Sequence, residues 1–295
     1  QLNNLTNNNQ LNNLTNNNQL NNLTNNNQLN NLTNNNKKIA FCFLIYDKIN
    51  HEKLWYDWLS NVDPNKYTIY IHYKENKPLK YFEKYKLKEN IQTKWCDISI
   101  VKVQNLILKN ALKDTNNQHF IWLSQACIPL KAFGYIYNYL NPHKSYFNKS
   151  HDSQVQGIKI KGLKYIKKAG MPSVLNRKHS TILVNNENMI DLFKNINICK
   201  EEIVYPSLLY NFSLENELEL TPNLSANSII FTAWPDMSNY KTFKSSTLTK
   251  NSPNCYSHIS EQELKYLINS KSLFGRKFEE NCTGLENLLD LLNVN

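Results

Sequence analysis

The sequence predicts an α/β fold: one domain with a central, mostly parallel sheet flanked by helices. Three observations lead there. KKIAFCFLIY, residues 37–46, is a charged start followed by an unbroken apolar run, as in a strand covered on both faces. In HEKLWYDWLSNV, 51–62, Leu54, Trp55, Trp58, Leu59 and Val62 share one helical face. Strand-like and helix-like segments then keep alternating, which is the order that builds parallel sheets.

The elements follow in order. DPNK, 63–66, is a turn, because Asp and Pro favour one. YTIYIHY, 67–73, alternates aromatic and β-branched residues and reads as the second strand. Ser99 is the expected N-cap of a helix through IVKVQNLILKNALK. HFIWLS, 119–124, is the third strand, and KAFGYIYNYL is another helix. The second half is less regular. It suggests a strand at 173–175, helices at 187–195, 202–210 and 261–270, and an edge strand in SIIFTAW, 228–234. Right-handed crossovers place the strand ends, with the loop after Ser124, on one edge of the sheet.

Residues 1–36 are four copies of QLNNLTNNN and carry no charge. Two leucines per repeat bury too little surface to offset an ordering cost of ~1–2 kcal/mol per residue. A low-complexity, disordered arm is therefore expected at 1–36, and one globular domain at 37–295. The richness in Asn and Lys fits an AT-rich genome, that of a microbe or a large DNA virus.

The net charge of +10 falls on the globular part and favours an anionic partner. The densest basic stretch, KIKGLKYIKK at 159–168, interleaves cations with Ile, Leu and Tyr as an amphipathic segment does. No nucleic-acid-binding motif occurs, so nucleic acid is not an expected partner. The six cysteines include no CxxC pair, and the histidines lack paired ligand spacing, which argues against a zinc site. Cys42 is expected to be a small buried hydrophobe. An even count permits disulfides without fixing them. No stretch approaches the ~18 apolar residues of a membrane span, and no signal peptide is recognised. The chain starts with Gln rather than Met, which leaves a further N-terminal segment open. The compartment is left open.

FIWLSQACIPL, 120–130, delivers a loop to the sheet edge, yet Ser124, Gln125, Ala126 and Cys127 include no carboxylate. Together with IAFCFLIY, YTIYIHY, WCDISIVKVQNLILKNAL, SVLNRKHSTILV, EEIVYPSLL, the FTAW tryptophan and LFGRKF, it resembles, in collinear order over about 38–280, the core-2/I-branching β-1,6-N-acetylglucosaminyltransferase family. The resemblance implies a GT-A-like fold and inverting transfer from a UDP-sugar, most often UDP-GlcNAc, to a glycan or glycoprotein. It also implies no metal and no further cofactor, with basic side chains taking the metal's place at the diphosphate. Members of the family are usually membrane-associated.

Inverting transfer needs a carboxylate base beside the attacking hydroxyl and positive charge on the leaving group. By the resemblance, the base is Glu202, with Glu201 its neighbour. Ile203 stands where relatives often carry an aromatic or His. Lys277, assisted by Arg276, matches the phosphate-binding position. A further cation is expected at Lys241 or Lys244. His72 and Ser124 fall on the donor side. Trp234 is placed against the acceptor sugar, and Arg177 is expected to line the site. Two other readings are a glycan-binding relative without turnover and a basic structural or nucleic-acid-binding protein.

Overall fold

The computed structural model describes residues 37–222, 228–234 and 253–294. The repeats at 1–36, Lys241 and Lys244 lie outside the described residues.

A six-stranded sheet forms the centre. Its strands are β1 (Lys38–Ile45), β2 (Tyr67–Tyr73), β3 (Asn117–Ser124), β5 (Ser145–Lys149), β6 (Ala169–Asn176) and β7 (Leu218–Pro222). Their spatial order is β2-β1-β3-β6-β5-β7. β1 pairs in parallel with β2 and β3, and β5 in parallel with β7. β6 is antiparallel to both its neighbours, so it alone runs against the other five. The fold class expected from the alternating pattern is the one observed.

The unbroken apolar run of β1 is explained by burial on both faces. Ile39, Phe41, Phe43 and Ile45 point into one core, and Ala40 and Cys42 into the other. The first core packs under helices α1 (Glu52–Ser60) and α3 (Phe133–Tyr139), and the second under α2 (Ile98–Ala111), α4 (Arg177–Asn185) and α5 (Val204–Asn211). The cap of α2 differs from expectation. The helix begins at Ile98, and the Asp97 carboxylate accepts from the Ser99 N–H at 2.9 Å. Ser99 instead uses its Oγ to accept from the Lys94 N–H at 3.0 Å. The expected helix at 187–195 is a tighter 3-10 run, Glu187–Phe193. KIKGLKYIKK is irregular but amphipathic: Ile160, Leu163 and Ile166 pack on the second core while Lys159, Lys161 and Lys164 are exposed.

A small three-stranded sheet carries the C-terminal part to the edge of the large one. In it, β10 (Phe274–Arg276) lies between β4 (Ile128–Pro129) and β8 (Ile230–Thr232). SIIFTAW thus supplies only three strand residues. The Asn148 amide of β5 donates to the Ile230 carbonyl at 2.7 Å and joins the two sheets. Gly275 permits a close approach here, because a Cβ would sit 3.1 Å from Leu130 Cδ1 and 3.3 Å from Phe278. β11 (Phe278–Thr283) pairs with β9 (Tyr256–His258), and helices α6 (Glu261–Asn269) and α7 (Leu288–Val294) close the first core.

Trp55 binds these parts together. Its ring lies edge-on to Phe43 at 5.2 Å and Trp58 at 5.5 Å, and stacked on Phe274 at 5.9 Å. Its indole N–H donates to the Cys127 carbonyl at 2.9 Å. Trp55→Ala is expected to destabilise by about 3–5 kcal/mol, the range for emptying a large aromatic site. Trp55→Phe should cost less, losing mainly the hydrogen bond. Urea denaturation of both variants checks this.

Candidate functional site

A cleft of about 1350 Å³ opens at the C-terminal ends of β1, β2 and β3. Strand ends of open α/β sheets are where ligands bind, because the loops there converge while the sheet stays rigid. His72, Ser124, Glu202, Trp234, Arg276 and Lys277 all line it.

The floor is the turn after β3. The Cys127 N–H donates back to the Ser124 carbonyl at 3.2 Å, closing the turn. Gln125 latches the turn to the end of β1. Its side-chain oxygen accepts from the Tyr46 N–H at 2.7 Å, and its carbonyl accepts from the Asn50 N–H at 3.0 Å. The latch is an amide, so it adds no negative charge to the turn.

Arg276 and Lys277 come to this turn on β10. Gly275 pairs with Ile128, and the Phe278 N–H donates to the Ala126 carbonyl at 2.9 Å. The Asn50 amide donates to the Phe278 carbonyl at 2.7 Å, and the Tyr256 N–H to the Lys277 carbonyl at 2.8 Å. Among the described residues, neither cation makes an ion pair, and Arg276 Nε is buried without a hydrogen bond. Burial, and then the neighbouring Arg276, hold the Lys277 ammonium below the usual lysine range.

His72 ends β2 and is buried. Its Nε2 accepts from the Ile91 N–H at 3.3 Å, and burial pushes its pKa down. The accepting Nε2 fixes the neutral tautomer with its proton on Nδ1.

The carboxylates that line the cleft sit on a 3-10 turn, Lys200–Glu202, just before α5. Glu202 pairs with Lys168 at 3.1 Å. Glu201 is pushed up to about 7, chiefly by burial and then by the charge of Glu202, while a backbone hydrogen bond opposes this. A disulfide joins Cys199 at the start of this turn to Cys96, just before α2. Among the described residues, Cys96, Cys199 and Glu201 are the one grouping of three potential metal ligands, and their two sulfurs are bonded to each other.

Arg177 is a correction. It does not line the cleft. Its guanidinium donates to the carbonyls of Leu112, Asp114 and Asn117, each at 3.0 Å, and so satisfies the C-terminal end of α2. Five donors in a rigid fork suit that structural task. Ile203, noted for its departure from relatives, is buried in the second core, away from the cleft. Sequence reasoning missed Lys168, hidden in a basic run, and the Cys96–Cys199 bond, whose partners are 103 residues apart.

A family model described as Core-2/I-Branching enzyme matches residues 39–267. The chain belongs to that family. Membership makes residues 39–267 a Core-2/I-branching enzyme domain, and its central sheet, with β6 alone reversed and helices on both faces, is the α/β arrangement expected. A curated relative, Glycosyltransferase BC10 of Oryza sativa subsp. japonica, is 24% identical over 170 residues, 53% of this chain. The chain spans 43% of that protein's length. Among solved structures, a glycosyltransferase involved in glycosylation of the major capsid of PBCV-1 aligns with a TM-score of 0.38 at 9% identity, covering 81% of this chain and 94% of that one. An active-site mutant of LgtC aligns at 0.42 and 8% identity, over 86% and 95%. No helix among the described residues is long and apolar enough to cross a membrane.

Glu201 leads to a pH prediction. Its folded-state pKa of about 7 lies above its ordinary value of 4.5. Between those values the unfolded chain binds fewer protons than the folded one, so stability falls as pH rises through this window. Glu201→Gln is expected to flatten that slope. Melting temperatures of both proteins from about pH 5 to 8 measure it.

Proposed function

We propose that the domain is an inverting, metal-independent transferase that moves a sugar, GlcNAc foremost, from a UDP-sugar to a hydroxyl of a glycan or glycoprotein. One observation carries this reading: Arg276 and Lys277, which make no ion pair among the described residues, line the same cleft as Glu201 and Glu202, beside an acid-free turn. The family match ends at residue 267, so the assignment of these two cations rests on the cleft itself and on the resemblance of LFGRKF.

In this reading the diphosphate lies against Arg276 and Lys277, whose charges meet it in a half-buried site where electrostatics are strong. His72 and Ser124 line the donor side, and Trp234 the acceptor side. Lys241 and Lys244, outside the described residues, remain candidates for a further phosphate contact. Glu202, oriented by Lys168, takes the proton of the acceptor hydroxyl as its oxygen bonds to the anomeric carbon. The bond from that carbon to the UDP oxygen breaks on the opposite face, which inverts the configuration, and UDP leaves with its charge against the cations.

Release of UDP from a panel of UDP-sugars tests the reading. Glu202→Gln is expected to lower turnover by about 10²-fold or more, in line with general-base magnitudes, with UDP affinity little changed. Lys277→Ala is expected to weaken UDP binding and turnover together, because its charge contacts both the bound donor and the leaving group. Near-full transfer by Glu202→Gln would move the base to Glu201. Activity is expected to survive EDTA; loss on chelation with rescue by manganese would overturn metal independence.

A further inference from the structure

Trp95 is 84% exposed, far more than any other large apolar side chain among the described residues. An indole this open to water is unusual, since tryptophan is highly buried on average. It also lines the cleft that holds Glu201 and Glu202. Its backbone is held on both sides. Before it, the Lys94 N–H donates to Ser99 Oγ at 3.0 Å and the Lys94 carbonyl accepts from the Asp97 N–H at 3.2 Å. After it, Cys96 takes a left-handed conformation with φ of 56° and is bonded to Cys199, two residues from Glu201. The backbone that carries this large flat ring is thus held at the cleft, and among the described residues little covers the ring.

We propose that Trp95 is a stacking platform for a sugar ring of the glycan acceptor and so helps to set acceptor specificity. This rests on the function proposed above. The C–H face of a pyranose carries slight positive charge and is flat enough to lie on the electron-rich face of an indole. The acceptor, not the nucleotide, is the occupant because of the covalent link. Cys96–Cys199 ties the platform to the segment bearing the carboxylates, and the hydroxyl to be deprotonated must lie beside a carboxylate. The phosphate-binding cations enter from another part of the chain, on β10. A uracil ring could stack as well, and the test separates the two.

Trp55, Trp58 and Trp122 are buried, so acrylamide quenching of tryptophan fluorescence reports mainly Trp95, with a smaller part from half-buried Trp234. The probes are chitotriose and N-acetyllactosamine, titrated into the whole chain, with UDP titrated separately by calorimetry. At least one saccharide is expected to shield the fluorescence of the natural protein. Trp95→Ala should bind that saccharide about tenfold more weakly or worse, Trp95→Phe should recover part of the loss, and both should bind UDP normally. Unchanged melting temperatures are expected, because the side chain packs against little. Equal saccharide affinity in the natural protein and Trp95→Ala overturns the proposal, as does absence of shielding by either saccharide at tens of millimolar. Loss of UDP binding in Trp95→Ala overturns it in favour of base stacking. Failure of the natural protein to bind UDP counts against the proposed function instead, and the saccharide titration reads Trp95 independently of it.

Discussion

Holding two adjacent cations half out of water, with no ion pair to either among the described residues, costs free energy that the surrounding structure must supply. Arg276 and Lys277 repel each other and lose hydration. They stay in place because β10 is clamped from several sides: by β4 and β8, by the Phe278–Ala126 hydrogen bond, and by the stack of Phe274 on Trp55. The aromatic cluster under β1 is therefore more than a core. It is the support on which the electropositive part of the cleft rests, and the indole N–H of Trp55 fixes the same turn from below through Cys127.

The two walls of the cleft use opposite solutions to the burial of charge. On one side the cations make no ion pair among the described residues. On the other side one carboxylate is matched by Lys168, and its neighbour is pushed toward its neutral form. Gln125 makes the difference possible. As an amide it can latch the floor to Tyr46 without adding a negative charge that would neutralise the cations above it.

The regular elements of the first half were legible because burial there is periodic. β2 falls on the residues expected, and β1 and α1 differ by a residue or two at their ends. The second half was harder for local reasons. β6 was seen only at 173–175 because Gly170 and Pro172 argue against a strand. Both fall where the β5–β6 pairing shifts register, between Lys149–Ala169 and Phe147–Ser173, so no regular ladder is needed there. Of the candidate site, His72, Ser124, Glu202, Trp234, Arg276 and Lys277 line the cleft, Arg177 does not, and Lys241 and Lys244 lie outside the described residues. A guanidinium that closes a helix end and one that lines a cleft look alike in a linear sequence. Lys168 and the Cys96–Cys199 bond depend on contacts across long stretches of chain, which no local pattern encodes.

The position of Arg276 and Lys277 along the chain has a temporal meaning. A ribosome making this protein will have released all six strands of the central sheet, the carboxylates and the acid-free turn by residue 222, some fifty residues before it reaches the cation pair. The strands of the sheet and the carboxylate-bearing turn are thus made while the chain still lacks β10, whose Phe274 completes the first core. The cation pair is among the last parts of the cleft to be synthesised, and the growing chain carries those two like charges side by side only after every strand of the central sheet has been made.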